Sequence, residues 1–277
     1  MRRARRFTCS TAGLILLLAA CSSANALDAP VSVGVMTDAP SVAYQDPLTN
    51  QRSGFDVDLY RWIGDNSSPK FLPTEIDVNI ENRETVLRER RVSFIVSSYS
   101  IADFREPLID FAGPYLTTQQ GVMMRKGDNL TIRGPQDLVG KNVCAQLGST
   151  SARQLKAIRG VIVTELVGLG ECVKRLSEGY VQVVSTDQLL LQGYARRDPL
   201  LEVPIAVRFG ALERWGIGLQ PEDGDKNCKL LNEKIRSFII SKVWDTAFLA
   251  NFGDIDPAPY RPDPNNLREC VIDKEDP

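Results

Sequence analysis

Asn142-Val143-Cys144-Ala145-Gln146 has the make-up of a short strand, and Gly148 with the hydroxyl run Ser149-Thr150-Ser151 then starts a helix that Gly160 stops. The same alternation repeats at once. Val161–Leu166 reads as a strand, Gly170–Glu178 as a helix, Val181–Ser185 as a strand and Asp187–Tyr194 as a helix. Strands alternating with helices imply α/β units and a mostly parallel sheet. In such sheets ligands bind beyond the carboxyl ends of the strands, at helix N-termini. This stretch therefore sets the expected fold class and tells where to look for a site.

Outward from it the pattern continues. Toward the N-terminus, Val31–Met36 is an expected strand, Gly54–Ile63 a helix with acids at its positive end, Arg83–Arg90 a helix and Val92–Ser97 a strand. Gly121–Met124 is a further strand, and Pro135–Val139 a short helix with Pro where helices accept it. Toward the C-terminus come a strand at Ile217–Leu219 and helices at Asp225–Ser241 and Val243–Phe252. Residues 254–277 form a Pro-rich tail, ordered or loose. Phe111, Tyr115, Trp62 and Trp244 are expected in the core, and Trp215 lies near an expected crossover.

The 277 residues support one large domain or two lobes. There is no His, which removes His-based acid–base chemistry, Ser-His-Asp triads and His metal sites. Lys and Arg number 33 against 35 Asp and Glu, so the chain lacks the basic excess of a nucleic-acid surface. No cofactor motif stands out.

The N-terminus carries export signals. Arg2, Arg3, Arg5 and Arg6 form a positive region, and Gly13–Ala20 an apolar core too short to span a bilayer. Leu18-Ala19-Ala20-Cys21 resembles a bacterial lipobox. Residues 1–20 are then a signal peptide, Cys21 carries lipid, and 21–30 is a linker on the outer face of the cytoplasmic membrane. The bland alternative is an ordinary secretory signal cut near Ala24 or Ala26. Cys144, Cys172, Cys228 and Cys270 remain, an even count that in an exported chain argues for disulfides. Of the three possible pairings, Cys144–Cys172 with Cys228–Cys270 is the simplest, since each stays within a local stretch. No CxxC spacing supports zinc.

Three turns carry complementary chemistry. Ser97-Ser98-Tyr99-Ser100-Ile101-Ala102-Asp103-Phe104-Arg105 offers hydroxyls and then a guanidinium, a planar match to a carboxylate. Gly148–Ser151 offers backbone N–H groups and hydroxyls at a helix start. Thr186-Asp187 offers a carboxylate suited to an ammonium. Together they would hold a free α-amino acid by both charged ends. Each also has a simpler reading. Arg105 could cap its loop by pairing with Asp103 or Glu106, Asp187 and Ser149 could be helix N-caps, and Arg83 could be a solvated helix charge.

These residues resemble a known family, the family 3 extracellular solute-binding proteins, polar amino-acid receptors of ABC importers. The resemblance rests on Gly54-Phe55-Asp56-Val57-Asp58 and on Ser98–Arg105 followed by Asp110-Phe111-Ala112-Gly113-Pro114-Tyr115. Asp137-Leu138-Val139-Gly140-Lys141, Gly148-Ser149-Thr150 and Trp215-Gly216-Ile217-Gly218 extend it, in order, over about residues 31–253. Asn82-Arg83-Glu84 and the two local Cys pairs look most like glutamate- and aspartate-type receptors of Gram-positive bacteria.

The resemblance implies a two-lobe type II periplasmic-binding-protein fold, α/β in class, with the lobes joined by two crossover strands. Lobe 1 would comprise 31–118 and 214–253, and lobe 2 residues 119–213. By motif position Arg105 would pair with the α-carboxylate, Ser98, Ser100 and Thr150 would support it, and Asp187 would take the α-ammonium. Ser149, Gln146, Arg83 and Asp38 are further expected contacts, with Ile80 where the family often has a packing aromatic. Besides Ile80, three positions depart from the pattern: Ser93 for Asp, and Ala102 and Phe104 for Thr and Glu ahead of Arg105. The implied ligand is glutamate or aspartate first, asparagine or glutamine next. The implied partner of a monomeric receptor is an ABC permease, or a membrane signalling protein if the receptor senses rather than transports. The same fold also serves cyclohexadienyl dehydratases, but the three turns hold no carboxylate or Lys left over for general acid–base work.

Overall fold

The computed structural model describes residues 26–28, 30–221 and 224–270. The signal peptide, the lipobox and Cys21 lie outside the described residues. In chain order come β1 (Ser32–Val35), β2 (Asp38–Ala39), β3 (Ala43–Gln45), β4 (Arg52–Ser53), α1 (Phe55–Asp65), β5 (Thr74–Asp77), α2 (Arg83–Arg88) and β6 (Phe94–Ser100). The long β7 (Asp110–Arg125) leads to β8 (Asn142–Gln146), α3 (Thr150–Lys156), β9 (Ile162–Leu166), α4 (Leu169–Ser177), β10 (Val183–Asp187) and α5 (Gln188–Ala195). The chain returns through β11 (Leu201–Glu202) and β12 (Phe209–Leu219) to α6 (Gly224–Ile240) and α7 (Val243–Phe252).

The main sheet runs β5-β1-β6-β12-β7-β10-β8-β9, with β11 paired to β7. Its two wings are parallel: β5-β1-β6 on one side and β10-β8-β9 on the other. Its centre is antiparallel, because β12 pairs with both β6 and β7, and β10 with β7. The expectation of a mostly parallel sheet therefore holds only for the wings. The reason is topological: β7 and β12 carry the chain from one lobe to the other and back, and two strands running in opposite senses pair antiparallel. These are the two crossover strands of a two-lobe fold. The sequence showed only their apolar ends, at Gly121–Met124 and Ile217–Leu219. Their middles carry Thr117, Thr118, Gln119, Gln120 and Glu213, which mask a strand in a hydrophobicity reading. The small sheet β2-β3-β4 was missed as well, since strands of two or three residues leave no periodicity to read.

One apolar cluster runs from Phe55 and Trp244 through Trp215 and Ile217 to Leu176 and Leu189, and smaller clusters line each wing. Phe55 is its hub. Its ring lies 5.5 Å from Trp244, 6.0 Å from Phe238 and 6.1 Å from Phe252 between centroids, edge-on to the first two. Gly54 sits before it at φ +125°, with Val42 O only 2.2 Å from where a Cβ would be, so only Gly can stand there. Asp56 is buried next to the hub. Its Oδ2 accepts from Ser98 N–H at 2.7 Å and its Oδ1 from Tyr115 O–H at 2.8 Å, while burial raises its carboxyl to about 7. The motif Gly54-Phe55-Asp56 thus packs one lobe and ties α1 to the end of β6.

The tail is ordered over its described part. Tyr260 is buried beside Phe248, and its hydroxyl donates to Gln188 Oε1 at 2.6 Å. The structure joins Cys144 to Cys172 and Cys228 to Cys270. The second bridge anchors the tail to α6.

Candidate functional site: a cleft between the two wings

The carboxyl ends of β6, β8 and β10 meet around one small cavity of about 20 Å³. Nearly all of the expected contacts line it: Arg83, Ser98, Ser100, Arg105, Gln146, Ser149, Thr150 and Asp187. Met36, Ile80, Ser151, Thr186 and Leu190 complete the wall. Its lining is mostly polar, which suits a ligand charged at both ends.

Each polar residue has a local reason for its place. Ser98 adopts φ +40°, an uncommon backbone for a side-chain-bearing residue, and its N–H is held by Asp56. Arg105 is buried on the loop after β6 and donates from Nη1 to Ser100 O at 2.8 Å rather than pairing with Asp103 or Glu106. Burial, followed by repulsion from Arg83, pulls its pKa down to about 10, so it stays cationic at neutral pH. Arg83 is only 2% exposed, which rules out a solvated helix charge. Ser149 is the N-cap of α3, accepting Ala152 N–H on Oγ at 3.0 Å. Gln146 donates from Nε2 to Val167 O at 3.0 Å while facing the cavity.

Asp187 stands at the N-cap position of α5 but makes no side-chain cap bond. Its Oδ2 accepts from Trp215 Nε1–H at 2.6 Å. Its Oδ1 is buried with no hydrogen-bond partner among the described residues. Burial, and next to it repulsion from Glu213, raises its carboxyl well above the ordinary range. A buried carboxylate oxygen without a donor is costly unless something cationic meets it. Across the cleft the Nε–H groups of Arg83 and Arg105 also lack hydrogen-bond acceptors.

The two sides touch at several points. Ser100 Oγ lies 3.5 Å from Thr150 Oγ1, and Arg153 of α3 sits 3.9 Å above the Phe104 ring. Ile80 faces Gly148, whose added Cβ would lie 3.2 Å from Ile80 Cγ2. Tyr194 O–H donates to Asp38 O, and Gly193 packs so closely that a Cβ would lie 1.9 Å from Pro40 O. The cleft is closed.

Asp38 departs from expectation. It does not line the cavity. It lies on β2, whose turn toward β3 carries it to the contact with α4 and α5, where its carbonyl rather than its carboxylate meets Tyr194. Two neighbours of the site escaped the sequence reading. Trp215 reaches Asp187 from β12, and Glu213, buried on the same strand, accepts from Gln154 Nε2 at 2.7 Å. A buried acid in a crossover strand was the available signal, but strand faces cannot be assigned before the register is known.

The chain resembles known proteins in sequence and in fold. The profile of the bacterial extracellular solute-binding proteins, family 3, matches residues 31–271, which carries it into the tail past residue 253. The glutamate-binding protein GluB of Corynebacterium efficiens is 32% identical over 218 residues, 75% of this chain and 72% of its own. GluB of Corynebacterium glutamicum is 30% identical over 235 residues, 81% and 79% of the two chains. The crystal structure of the amino acid ABC transporter substrate-binding protein AbpA from Streptococcus pneumoniae, bound to L-arginine, superimposes with a TM-score of 0.73 at 21% identity, over 80% of this chain and 94% of that one. At that identity the likeness speaks for the fold.

Proposed function

This chain belongs to the bacterial extracellular solute-binding proteins, family 3, and from that premise we propose that it binds a free acidic amino acid in the cleft and delivers it to an ABC importer. One observation carries the reading. Asp187 brings a buried, half-unsatisfied carboxylate into the same cavity as the Arg105 guanidinium. An α-amino acid supplies the ammonium for the first and the carboxylate for the second. Ser98, Ser100, Ser149 and Thr150 add donors around the carboxylate end.

Charge favours glutamate or aspartate over asparagine or glutamine. The cavity wall carries two guanidiniums, Arg83 and Arg105, against the single carboxylate of Asp187. A zwitterion with a second carboxylate balances that wall. A cationic side chain adds to the excess, and Ile80 gives it no ring to stack on. The glutamate named for both Corynebacterium relatives agrees with this preference. Lipid on Cys21 would hold the receptor at the outer face of the membrane. Among the described residues no helix is long and apolar enough to cross a bilayer.

A thermal-shift screen of the twenty amino acids tests the reading, since a ligand that binds only the folded state raises the melting temperature. Competition calorimetry follows. Tighter binding of arginine, lysine or leucine than of glutamate, aspartate, glutamine and asparagine refutes it.

A further inference from the structure

Arg83 and Arg105 stand over the same aromatic ring, and we propose that Tyr99, with Glu84 behind it, is the positioning residue that gives the cleft its preference for a dicarboxylic amino acid over the corresponding amide. The inference rests on the reading of the cleft as an amino-acid site. The Arg83 Cζ lies 3.7 Å from the Tyr99 ring centroid and the Arg105 Cζ 5.1 Å from it. Tyr99 itself is immobilised. It is fully buried on β6, its ring meets Phe111 edge-on at 4.9 Å, and its hydroxyl donates to Glu84 Oε1 at 2.5 Å. The same Glu84 oxygen lies 3.7 Å from Arg83 Nε and 3.9 Å from Arg105 Nε.

Two buried cations side by side repel, and each would gain by turning toward water. The π face of Tyr99 attracts both, and in a site withdrawn from water such contacts are stronger than at a surface. Glu84 adds one negative charge behind the pair without lining the cavity. Ring and carboxylate thus keep both guanidiniums facing one ligand. Arg105 then serves the α-carboxylate, and Arg83 is left for a second anionic group. An amide gives Arg83 only a neutral oxygen, and a buried site rejects ligands that leave its charges poorly paired. None of this belongs to the two arginines alone, because a long side chain without a platform can swing away.

The test is calorimetry with L-glutamate and L-glutamine on wild-type protein and on Tyr99→Phe, Tyr99→Leu and Arg83→Lys. Wild-type protein should prefer glutamate by about tenfold or more. Tyr99→Phe keeps the ring and should keep most of that ratio. Tyr99→Leu removes the π face and should collapse the ratio mainly through weaker glutamate binding, whereas a merely structural role would weaken both ligands equally. Arg83→Lys keeps the charge but loses the flat stack and should lower the ratio as well. A folded Tyr99→Leu protein with the wild-type ratio overturns the proposal. If that variant fails to fold, an unchanged ratio in Arg83→Lys overturns it instead. Equal wild-type affinity for the two ligands also overturns it while leaving the amino-acid reading intact; if wild-type protein binds neither, the same ratio is read with aspartate and asparagine, and binding of none of the four overturns both.

Discussion

The indole Nε1–H of Trp215 donates to Asp187 Oδ2 at 2.6 Å. Trp215 belongs to β12, one of the two strands that join the lobes, and Asp187 ends β10 at the cavity. The hinge therefore holds one oxygen of the proposed ammonium-binding acid and leaves the other, Oδ1, for a ligand.

Trp215→Phe should weaken amino-acid binding with the fold retained. The ring volume is largely kept, while a hydrogen bond to a charged group, worth about 1.5–3 kcal/mol, is lost. Calorimetry should read roughly ten- to a hundredfold weaker binding, and wild-type affinity in the variant would remove the indole from the site.

Asp187 makes both stability and binding depend on pH. Its carboxyl is raised in the folded, ligand-free protein, chiefly by burial. The folded state therefore holds the proton more tightly than the unfolded chain. The resulting stabilisation is fully present below the ordinary carboxylate value and is lost as pH rises through the raised one. An ammonium ligand needs the ionised form, so affinity should increase with pH over the same window. Asp187→Asn should abolish binding, flatten this dependence and raise the melting temperature of the ligand-free protein at neutral pH by a few degrees, at about 2–4 °C per kcal/mol for a chain of this size. A pH series of melting curves with and without ligand checks the sign.

Arg105→Ala should eliminate amino-acid binding while the protein stays folded. Loss of one partner of a charge pair in a closed cleft costs about 2–5 kcal/mol. Arg105→Lys should also bind poorly, because a point charge cannot reproduce the fork. Retained affinity in either variant, measured by calorimetry, would reassign the carboxylate site.

Arg153 and Phe104 face each other across the mouth of the cleft at 3.9 Å. Phe104 is also where the chain departs from the family's usual Glu. A partly exposed cation–π contact is worth about 0.5–1 kcal/mol. Phe104→Ala should therefore raise the ligand off-rate about two- to fivefold with little change in on-rate. In a double-mutant cycle with Arg153→Ala the two effects should not add, whereas simple additivity would show that the residues act independently.

The cysteine bridges should both be present in exported protein. Alkylation without reductant should find no free thiol among Cys144, Cys172, Cys228 and Cys270. Replacing Cys228 and Cys270 together with Ser should destabilise the protein by up to about 4 kcal/mol, the loop-entropy figure for a separation of 42 residues. An unchanged melting temperature would mean that the tail is held without its bridge.

Local chemistry was legible in the chain itself. The strands and helices from Asn142 to Tyr194 follow from apolar periodicity and hydroxyl starts, and the structure places β8, β9, β10 and α3 to α5 within a few residues of those bounds. Arg105, Thr150 and Asp187 were likewise identifiable as anion- and cation-seeking groups at strand ends. That all three converge on one cavity was not, since nothing in a linear pattern brings residues 105, 150 and 187 together.

The tertiary structure alone decided the rest, for one physical reason: the missing features depend on which faces meet. The antiparallel centre of the sheet arises from two crossover strands whose polar middles hide them in sequence. Asp38 lost its expected place because β2 turns it toward α4 and α5. Whether Arg83 was a solvated charge or a cleft contact was decided by burial over the Tyr99 ring, and Trp215 reached Asp187 only through the register of β12 against β6 and β7. Propensity and side-chain chemistry act within a few residues, and a sequence carries them openly. Burial and partner choice are set by contacts between distant segments, and they exist only once the chain has folded.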